Sequence, residues 1–428
     1  MPPKLVAWRQ KLSEKARQDK TFRFYSLYSL ISHPDTLRWA WVLVRRNDGA
    51  PGVDGVTFEQ IEQPEGGVVR FLGELERELK EKTYKAQFVR RVYIEKENGK
   101  LRPLGIPVIK DRVVQMAVKL LIEPIFEEDF TDSSYGYRPG RSAQGAIQAI
   151  AGHLKEGKSE VYDADLSGYF DSIPHDKLMA CVQRRVVDGS VLRLIRQWLK
   201  APVLEPGEKG QGPRMTRNEK GTPQGGVISP LLANLYLHWF EVVLEREFKR
   251  GHLVAGMVRY ADDFVILTRE LSEPLKAFVE EKLEGWMGLR INREKTRSFD
   301  LKEEGQRLDF LGYSLRYDRD LHGQPRKYLN IFPSPKALKR ARAKVKEMTG
   351  ASQCFTPVPE LIGRLNRYLR GWGSYYAYGY PRQAFREMNY YVRKRMAKHL
   401  NRRSQRGYKL PEGQTYHRYL NELGLLTL

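Results

Sequence analysis

Cysteine is almost absent, since Cys181 and Cys354 are the only two in 428 residues. They lie far apart, without Cys or His neighbours at ligand spacing, which excludes a disulfide framework and gives no support to a zinc site. Long apolar runs are missing too. The strongest, Val113 to Phe126, is interrupted by Lys119 and Glu123, well short of the roughly 18 unbroken apolar residues that a membrane span needs. The first twenty residues, MPPKLVAWRQKLSEKARQDK, lack the apolar centre of a secretory signal. These absences lead to the expectation of a soluble protein of a reducing cytoplasm, with no membrane partner. Repeats, low-complexity stretches and flexible linkers are also lacking, and "CFTPVPEL" is the best break near the C-terminus.

Acidic residues are in deficit. Fifty-two Asp and Glu face 74 Lys and Arg, a formal charge of +22 with a pI of about 9.7. Such an excess repels itself unless a polyanion lies against it. Nucleic acid is the leading partner, against a merely basic soluble protein or a binder of acidic membranes. The excess is uneven: Pro333 to Leu428 holds 20 Lys and Arg against 5 Asp and Glu. With 41% hydrophobic and 11% aromatic residues the chain can bury a large core, and its length exceeds what one core usually holds.

"DTLRWAWVLVRR" places Leu37, Trp41 and Val44 on one helical stripe. "NDGAPGVDG" is turn-rich, and a helix is expected over Val69 to Lys82. "QFVRRVYIEKENGKLRPLGIP" then reads as a hairpin about an Asn-Gly turn. It carries Arg90, Arg91, Lys96, Lys100 and Arg102, which suit either a solvated edge or a fingertip for phosphates. "RVVQMAVKLLIEPIFEEDF" predicts a helix broken near Pro124, and "AQGAIQAIAGHLKEG" a second helix with a glycine stop. Further helices follow over His175 to Lys200 and "GVISPLLANLYLHWFEVVLEREFKR". Elements that alternate in this way predict an α+β or α/β layer structure.

Two strands carry carboxylates. In "EVYDADL", strand parity puts Asp163 and Asp165 on one face. In "RYADDFVILT", Asp262 and Asp263 stand at a tight bend before an apolar strand. Buried, unpaired carboxylates cost several kcal/mol and repel one another. Each alone reads as a turn aspartate or a partner of an arginine such as Arg259. Together, in so basic a chain, they point to a divalent cation. Mg²⁺ takes few hard oxygen ligands and leaves positions for phosphates, and two such ions suit in-line phosphoryl displacement.

On these residues the chain resembles the reverse transcriptase/maturase encoded within bacterial group II introns. The blocks that carry the resemblance, in order, are "NDGAPGVDG", "KLRPLGIPVIKDRVVQ", "SSYGYRPGRSAQGAI", "DADLSGYFDSIPHDKL", "GTPQGGVISPLLANLYL", "RYADDFVIL", "LRINREKT", "LDFLGYSL", "PSPKALKRARAKVKEMT" and "LNRYLRGWGSYYAYG". The resemblance implies an α+β, right-hand polymerase: fingers and palm over 1–330, a helical thumb or maturase region over 331–410, and a short tail over 411–428. No "CxxC" pair with downstream His and Asn follows, so no C-terminal nuclease domain is expected.

Residue by residue, the resemblance implies catalytic Asp165, Asp262 and Asp263 holding two Mg²⁺ ions beside the Leu166 backbone, with Asp262 the more direct ligand. It implies a dNTP pocket of Lys96, Arg102, Phe170, Gln224 and Lys295. There Phe170 is the aromatic gate against a 2′-hydroxyl, with Tyr169 as its competitor, and Lys295 is a proton donor to the leaving pyrophosphate. Glu95 stands where the family usually has Pro. Arg138, Arg141 and Gly225 are implied template contacts, and Leu311 and Gly312 the turn that holds the primer.

The C-terminal region interleaves Arg364, Arg367 and Arg370 with Trp372 and Tyr375, and a later helix carries Arg393 and Lys394. Aromatics that stack on unpaired bases and arginines on phosphate suit structured RNA, although the same spacing suits a packed helix. Implied partners are group II intron RNA, an RNA template with a DNA primer, dNTPs and target DNA, in the bacterial cytoplasm or nucleoid. The alternatives are a non-catalytic RNA-binding maturase and a domesticated reverse transcriptase of repair or defence.

Overall fold

A computed structural model describes residues 1–95, 99, 101–207, 212–251, 254–319, 327–404 and 406–428. Lys96, expected to hold phosphate, lies outside the described residues. The described strands are β1 (Val89–Glu95), β2 (Leu101–Ile106), β3 (Glu160–Ala164), β4 (Val203–Glu205), β5 (Arg214–Thr216), β6 (Ala255–Tyr260), β7 (Asp263–Thr268), β8 (Arg297–Asp300), β9 (Leu308–Phe310), β10 (Tyr313–Arg319) and β11 (Lys327–Pro333). They form three sheets with orders β2-β1-β4-β5, β6-β7-β3-β8 and β11-β10-β9. Helices make up most of the remainder, so the architecture is α+β, as expected.

The chain divides into two compact units. The first comprises Met1–Ser142, Tyr162–Ile266 and Glu270–Arg297; the second comprises Ala143–Val161, Leu267–Arg269 and Ser298–Leu428. The division does not follow the boundary expected after residue 330. The β10–β11 hairpin belongs with the C-terminal helices because Tyr313 packs against Tyr375 and Tyr376, with ring centroids 5.8 and 5.0 Å away. "CFTPVPEL" is no break either. It joins two helices of one unit, and its second proline lies in the first turn of Val358–Tyr375, where the missing N–H is harmless.

The core of the first unit is the helix Ile109–Glu127, which is buried on nearly every side, as expected of a helix apolar all round. The break predicted at Pro124 does not occur. Proline removes the hydrogen bond to the carbonyl four residues back and crowds it; here that carbonyl, of Leu120, accepts instead from the Arg9 guanidinium. A second arginine nitrogen lies 3.4 Å from Glu123. A cation from the first helix, Pro3–Gln18, thus takes up the orphaned acceptor, and the helix runs straight through.

Candidate catalytic carboxylates and their surroundings

The bend of "YADD" is built from beneath. Arg259, at the end of β6, is fully buried, as is Glu241 on the helix Ser229–Lys249. The Arg259 guanidinium donates to Glu241, to Asn234 Oδ1 at 2.9 Å, to the Ala261 carbonyl at 2.8 Å and to Ser134 Oγ at 2.6 Å. Burial pushes Glu241 up, but the Arg259 charge and the hydrogen bonds outweigh it and hold the carboxyl down at about 2. The arginine named as the alternative partner of the aspartates therefore serves the turn itself. The segment before "YRPGR" pairs alongside: Tyr135 N–H donates to the Arg259 carbonyl at 2.8 Å, and Asn234 Nδ2 donates to the Gly136 carbonyl at 2.7 Å. A side chain at Gly136 would collide with the Ala261 backbone.

Ala261 adopts a left-handed φ of 60°, unusual for a residue with a Cβ. It projects Asp262 and Asp263 at the head of β7, next in the sheet to β3. Burial and then the Asp165 charge raise Asp262. The low-dielectric surroundings, followed by the like charges of Asp262, Asp165 and Asp163, push Asp263 up to about 7. Its side chain reaches solvent, which relieves part of the burial effect; the crowding of carboxylates is the cause that persists.

Strand parity left Asp163 and Asp165 equal, and their partners now differ. Asp163 pairs with Arg297 at 3.1 Å. Asp165 Oδ2 accepts from Lys295 Nζ at 2.9 Å and from Asn292 Nδ2 at 3.2 Å, while its carbonyl accepts from Asn292 N–H at 2.8 Å. Leu166 bridges to Ile291 in an antiparallel pair whose hydrogen bonds fall at the residues on either side, Asn292 N–H to Asp165 and Ser167 N–H to Arg290. That bridge leaves the Leu166 carbonyl unused.

As the side chains stand, no three His, Cys, Asp or Glu among the described residues converge closely enough to ligate one ion. Lys295 sits where Asp165 would otherwise face uncompensated negative charge. The donors nonetheless suit a hard divalent cation: carboxylate oxygens whose mutual repulsion is felt at Asp263.

The expected nucleotide residues form a chain. Arg102 Nε donates to Gln224 Oε1 at 2.9 Å, and Gln224 Nε2 donates to Asp171 Oδ2 at 3.3 Å. The Gln224 carbonyl accepts from Gly105 N–H at 2.6 Å. Gly225 has φ of 118°, and a Cβ there would lie 2.5 Å from the Gly105 carbonyl oxygen, so glycine alone lets the "TPQGG" loop close on β2. The buried Tyr169 hydroxyl donates to the Ala233 carbonyl at 2.6 Å. Tyr169 is a core residue, and Phe170 is buried beside it in the same cluster, 6% exposed with the two rings 5.6 Å apart.

Several of the other expected residues are already engaged by neighbours. Arg138, expected at the template, is buried; it holds Glu127 at 2.7 Å and the carbonyls of Thr131 and Ser134. Arg141 pairs with Asp132 at 2.5 Å and lies over the Tyr135 ring. In the second unit, Trp372 is buried between Tyr376 and Phe385. The Tyr375 hydroxyl donates to the Leu311 carbonyl at 2.9 Å, so it braces the very turn, Leu311 and Gly312, expected to hold a primer. Leu311 has a φ of 51° and Gly312 one of 83°. Arg364 donates to Gln353 at 3.0 Å and Arg393 to Thr427 at 3.0 Å. Arg367, Arg370 and Lys394 are exposed.

Residue-type reasoning missed Asn292 and Thr296, whose only signal was membership of "LRINREKT", and Tyr137. Tyr137 takes a left-handed φ of 59°, is 54% exposed, and has its phenol pushed up by burial and then by the Asp262 charge.

Similarity to known proteins follows the same blocks. Residues 94–315 match the family model described as reverse transcriptase (RNA-dependent DNA polymerase), and residues 338–419 match the group II intron, maturase-specific domain. Protein YkfC of Escherichia coli K12 is 34% identical over 364 residues, covering 77% of this chain and 92% of YkfC. The group II intron-encoded protein LtrA of Lactococcus lactis subsp. cremoris is 30% identical over 382 residues, covering 72% of this chain and 60% of LtrA. Among solved structures, telomerase from Candida albicans aligns over 82% of this chain and 68% of its own with a TM-score of 0.47 at 10% identity.

Proposed function

Because the chain belongs to the reverse transcriptase family, the RNA-directed DNA polymerases, and carries the maturase-specific domain of group II intron proteins, we propose that Asp165, Asp262 and Asp263 join dNTPs onto a primer 3′ end along an RNA template. The single observation that carries the assignment of the site is that β7, headed by Asp263 with Asp262 just before it, lies next in the sheet to β3, whose chain runs on into Asp165. Asp165, Asp262 and Asp263, with the Leu166 carbonyl, would hold two Mg²⁺ ions. When bound, these supply Lewis acidity: a more acidic 3′-hydroxyl and a neutralised leaving pyrophosphate.

The chain's own groups do the rest. Arg102 holds triphosphate oxygens by charge-assisted bonds and is itself aimed by Gln224. Phe170 lies under the sugar and excludes a 2′-hydroxyl. Lys295, held beside the site by its 2.9 Å pair with Asp165, would give a proton to the leaving oxygen. Leu311 and Gly312, braced by Tyr375, steady the primer terminus.

For the second half of the activity, exposed Arg367, Arg370 and Lys394 grip the backbone of the intron RNA, which the protein helps to fold for splicing and then copies at a DNA target. LtrA is longer than this chain, which spans 60% of it, so target DNA handling and retrohoming belong to this proposal. So do the division into a polymerase body over 1–330 and an RNA-binding region over 331–410, and a place in the cytoplasm or nucleoid. No described helix is long and apolar enough to cross a membrane.

The test is primer extension on an RNA template with and without Mg²⁺, in wild type and Asp262→Ala. Extension should require the metal and vanish in the variant. If the variant still extends, the assignment is wrong; if wild type binds RNA yet never extends, the chain is a non-catalytic maturase.

A further inference from the structure

Two adjoining cavities of about 410 and 680 Å³ cross the outer face of the helix His175–Gln183 and run along Ser229–Lys249, sharing Ala180, Cys181, Arg184 and Trp239. Both lie wholly within the first unit. The lining is cationic and aromatic. Arg184 is exposed and its guanidinium lies 5.0 Å over the Trp239 ring. Arg246 is exposed, Arg23 donates only to the Gln183 carbonyl at 3.2 Å, and Lys177 donates to the Trp286 carbonyl at 2.5 Å. None of the four makes an ion pair among the described residues. The one acidic group in the lining, Asp129, is already neutralised by Arg185 at 3.1 Å and Lys20 at 3.7 Å. Trp286 is 44% exposed.

Unpaired cations set between two indoles on a +22 chain select a polyanion that also has flat faces. An acidic peptide satisfies the cations but offers nothing to the rings. A single-stranded RNA segment satisfies both, with phosphates on the guanidiniums and splayed bases on the indoles. We propose that this groove is a second RNA-binding surface, taking an unpaired RNA strand on residues that belong neither to the carboxylate site nor to the basic C-terminal helices. The inference rests on the reading that the chain binds RNA and adds a place on it.

The experiment uses the full chain and a fluorescein-labelled, unstructured RNA oligomer. Its anisotropy is read across a salt series, and protein tryptophan fluorescence is read alongside. Arg184→Glu with Arg246→Glu should weaken binding about tenfold or more at low salt and flatten the log–log salt slope by about 0.7 for each phosphate no longer engaged. The melting temperature should not move, since both side chains are exposed. Trp239→Phe with Trp286→Phe should remove most of the fluorescence quenching by RNA. Binding within twofold of wild type in the charge-reversed protein overturns the inference. So does equal quenching by polyglutamate, which assigns the groove to an acidic peptide. If only Arg367→Glu with Arg370→Glu lowers affinity, RNA binding stands and the groove falls. If wild type binds RNA without salt dependence, the underlying reading falls.

Discussion

Glu241→Gln is the substitution that most directly tests how the catalytic bend is held. Glu241 and Arg259 are both fully buried, and the glutamine keeps the volume while removing the full negative charge from the guanidinium's side. Removing one partner of a buried pair costs about 3–5 kcal/mol, because the other charge is left in low dielectric. The titration leads to the same size: a carboxyl held at about 2 against an ordinary 4.5 is worth roughly 3 kcal/mol at about 1.36 kcal/mol per pH unit. Against a total stability of about 5–15 kcal/mol, that is a large fraction. Thermal melting of the first transition should fall by roughly 5–15 °C.

The sign with pH is fixed as well. The folded-state value is depressed, so the contribution is present above about 4.5 and is lost as pH falls through about 2. Wild type should lose stability steeply across that window, and Glu241→Gln should not show that component. Primer extension at a permissive temperature should also drop, because the Ala261 carbonyl is held by the same guanidinium. A double-mutant cycle with Arg259→Met should show coupling of about 2–3 kcal/mol. Should Glu241→Gln melt within about 0.5 kcal/mol of wild type, with the double variant additive, the pair is not what holds the bend.

Three further outcomes follow from single interactions. Gly225→Ala places a Cβ 2.5 Å from the Gly105 carbonyl at a φ of 118°, a strain of about 1–3 kcal/mol; steady-state extension should show a dNTP KM raised about tenfold, and an unchanged KM would remove the loop from the nucleotide pocket. Tyr375→Phe deletes the hydroxyl that donates to the Leu311 carbonyl, about 1 kcal/mol; primer KM should rise severalfold with dNTP KM unmoved, and the reverse pattern would contradict the bracing role. Arg9→Ala leaves the Leu120 carbonyl orphaned beside Pro124, a loss of about 1–3 kcal/mol in a urea titration; kcat should hold, and unaltered stability would mean the proline is tolerated for another reason.

Much of the fold was legible where periodicity and punctuation agree. The hairpin of β1 and β2, the glycine stop at Gly157 with φ of 85°, the long helix Ser229–Lys249 and the β6–β7 hairpin all fall where pattern and turn chemistry place them. The failures share a cause. Pro124 is a breaker by local rules, and only a residue more than a hundred positions away supplies the missing donor. The three-residue strands β4, β5 and β9 carry too few residues to show a period, and they exist only because longer strands offer edges. The boundary near residue 330 misses the unit division because Tyr313 finds its packing on Tyr375 and Tyr376, a tertiary choice that no local signal announces.

The candidate site divides along a different line. A residue's type states which bonds it can form; only the fold states which of them are already made. Asp165 and Asp263 were readable because like charges side by side are unfavourable in any environment, so two acidic strands in one chain already demand a counter-charge. The engagement of Arg138, Arg364, Trp372 and Tyr375 within the protein was not, because an arginine or an aromatic on a helix looks the same whether it faces a phosphate or a neighbouring carboxylate, carbonyl or ring. Arg367, Arg370 and Lys394, the cations proposed to meet RNA, differ from them in one physical respect, their exposure. The groove at Arg184 and Trp239 makes the same point in reverse: its residues come from five separated stretches of chain, none dense enough in charge to stand out. For a polyanion-binding protein, then, the local density of positive charge is a weaker guide than the number of cations the fold leaves without a counter-ion.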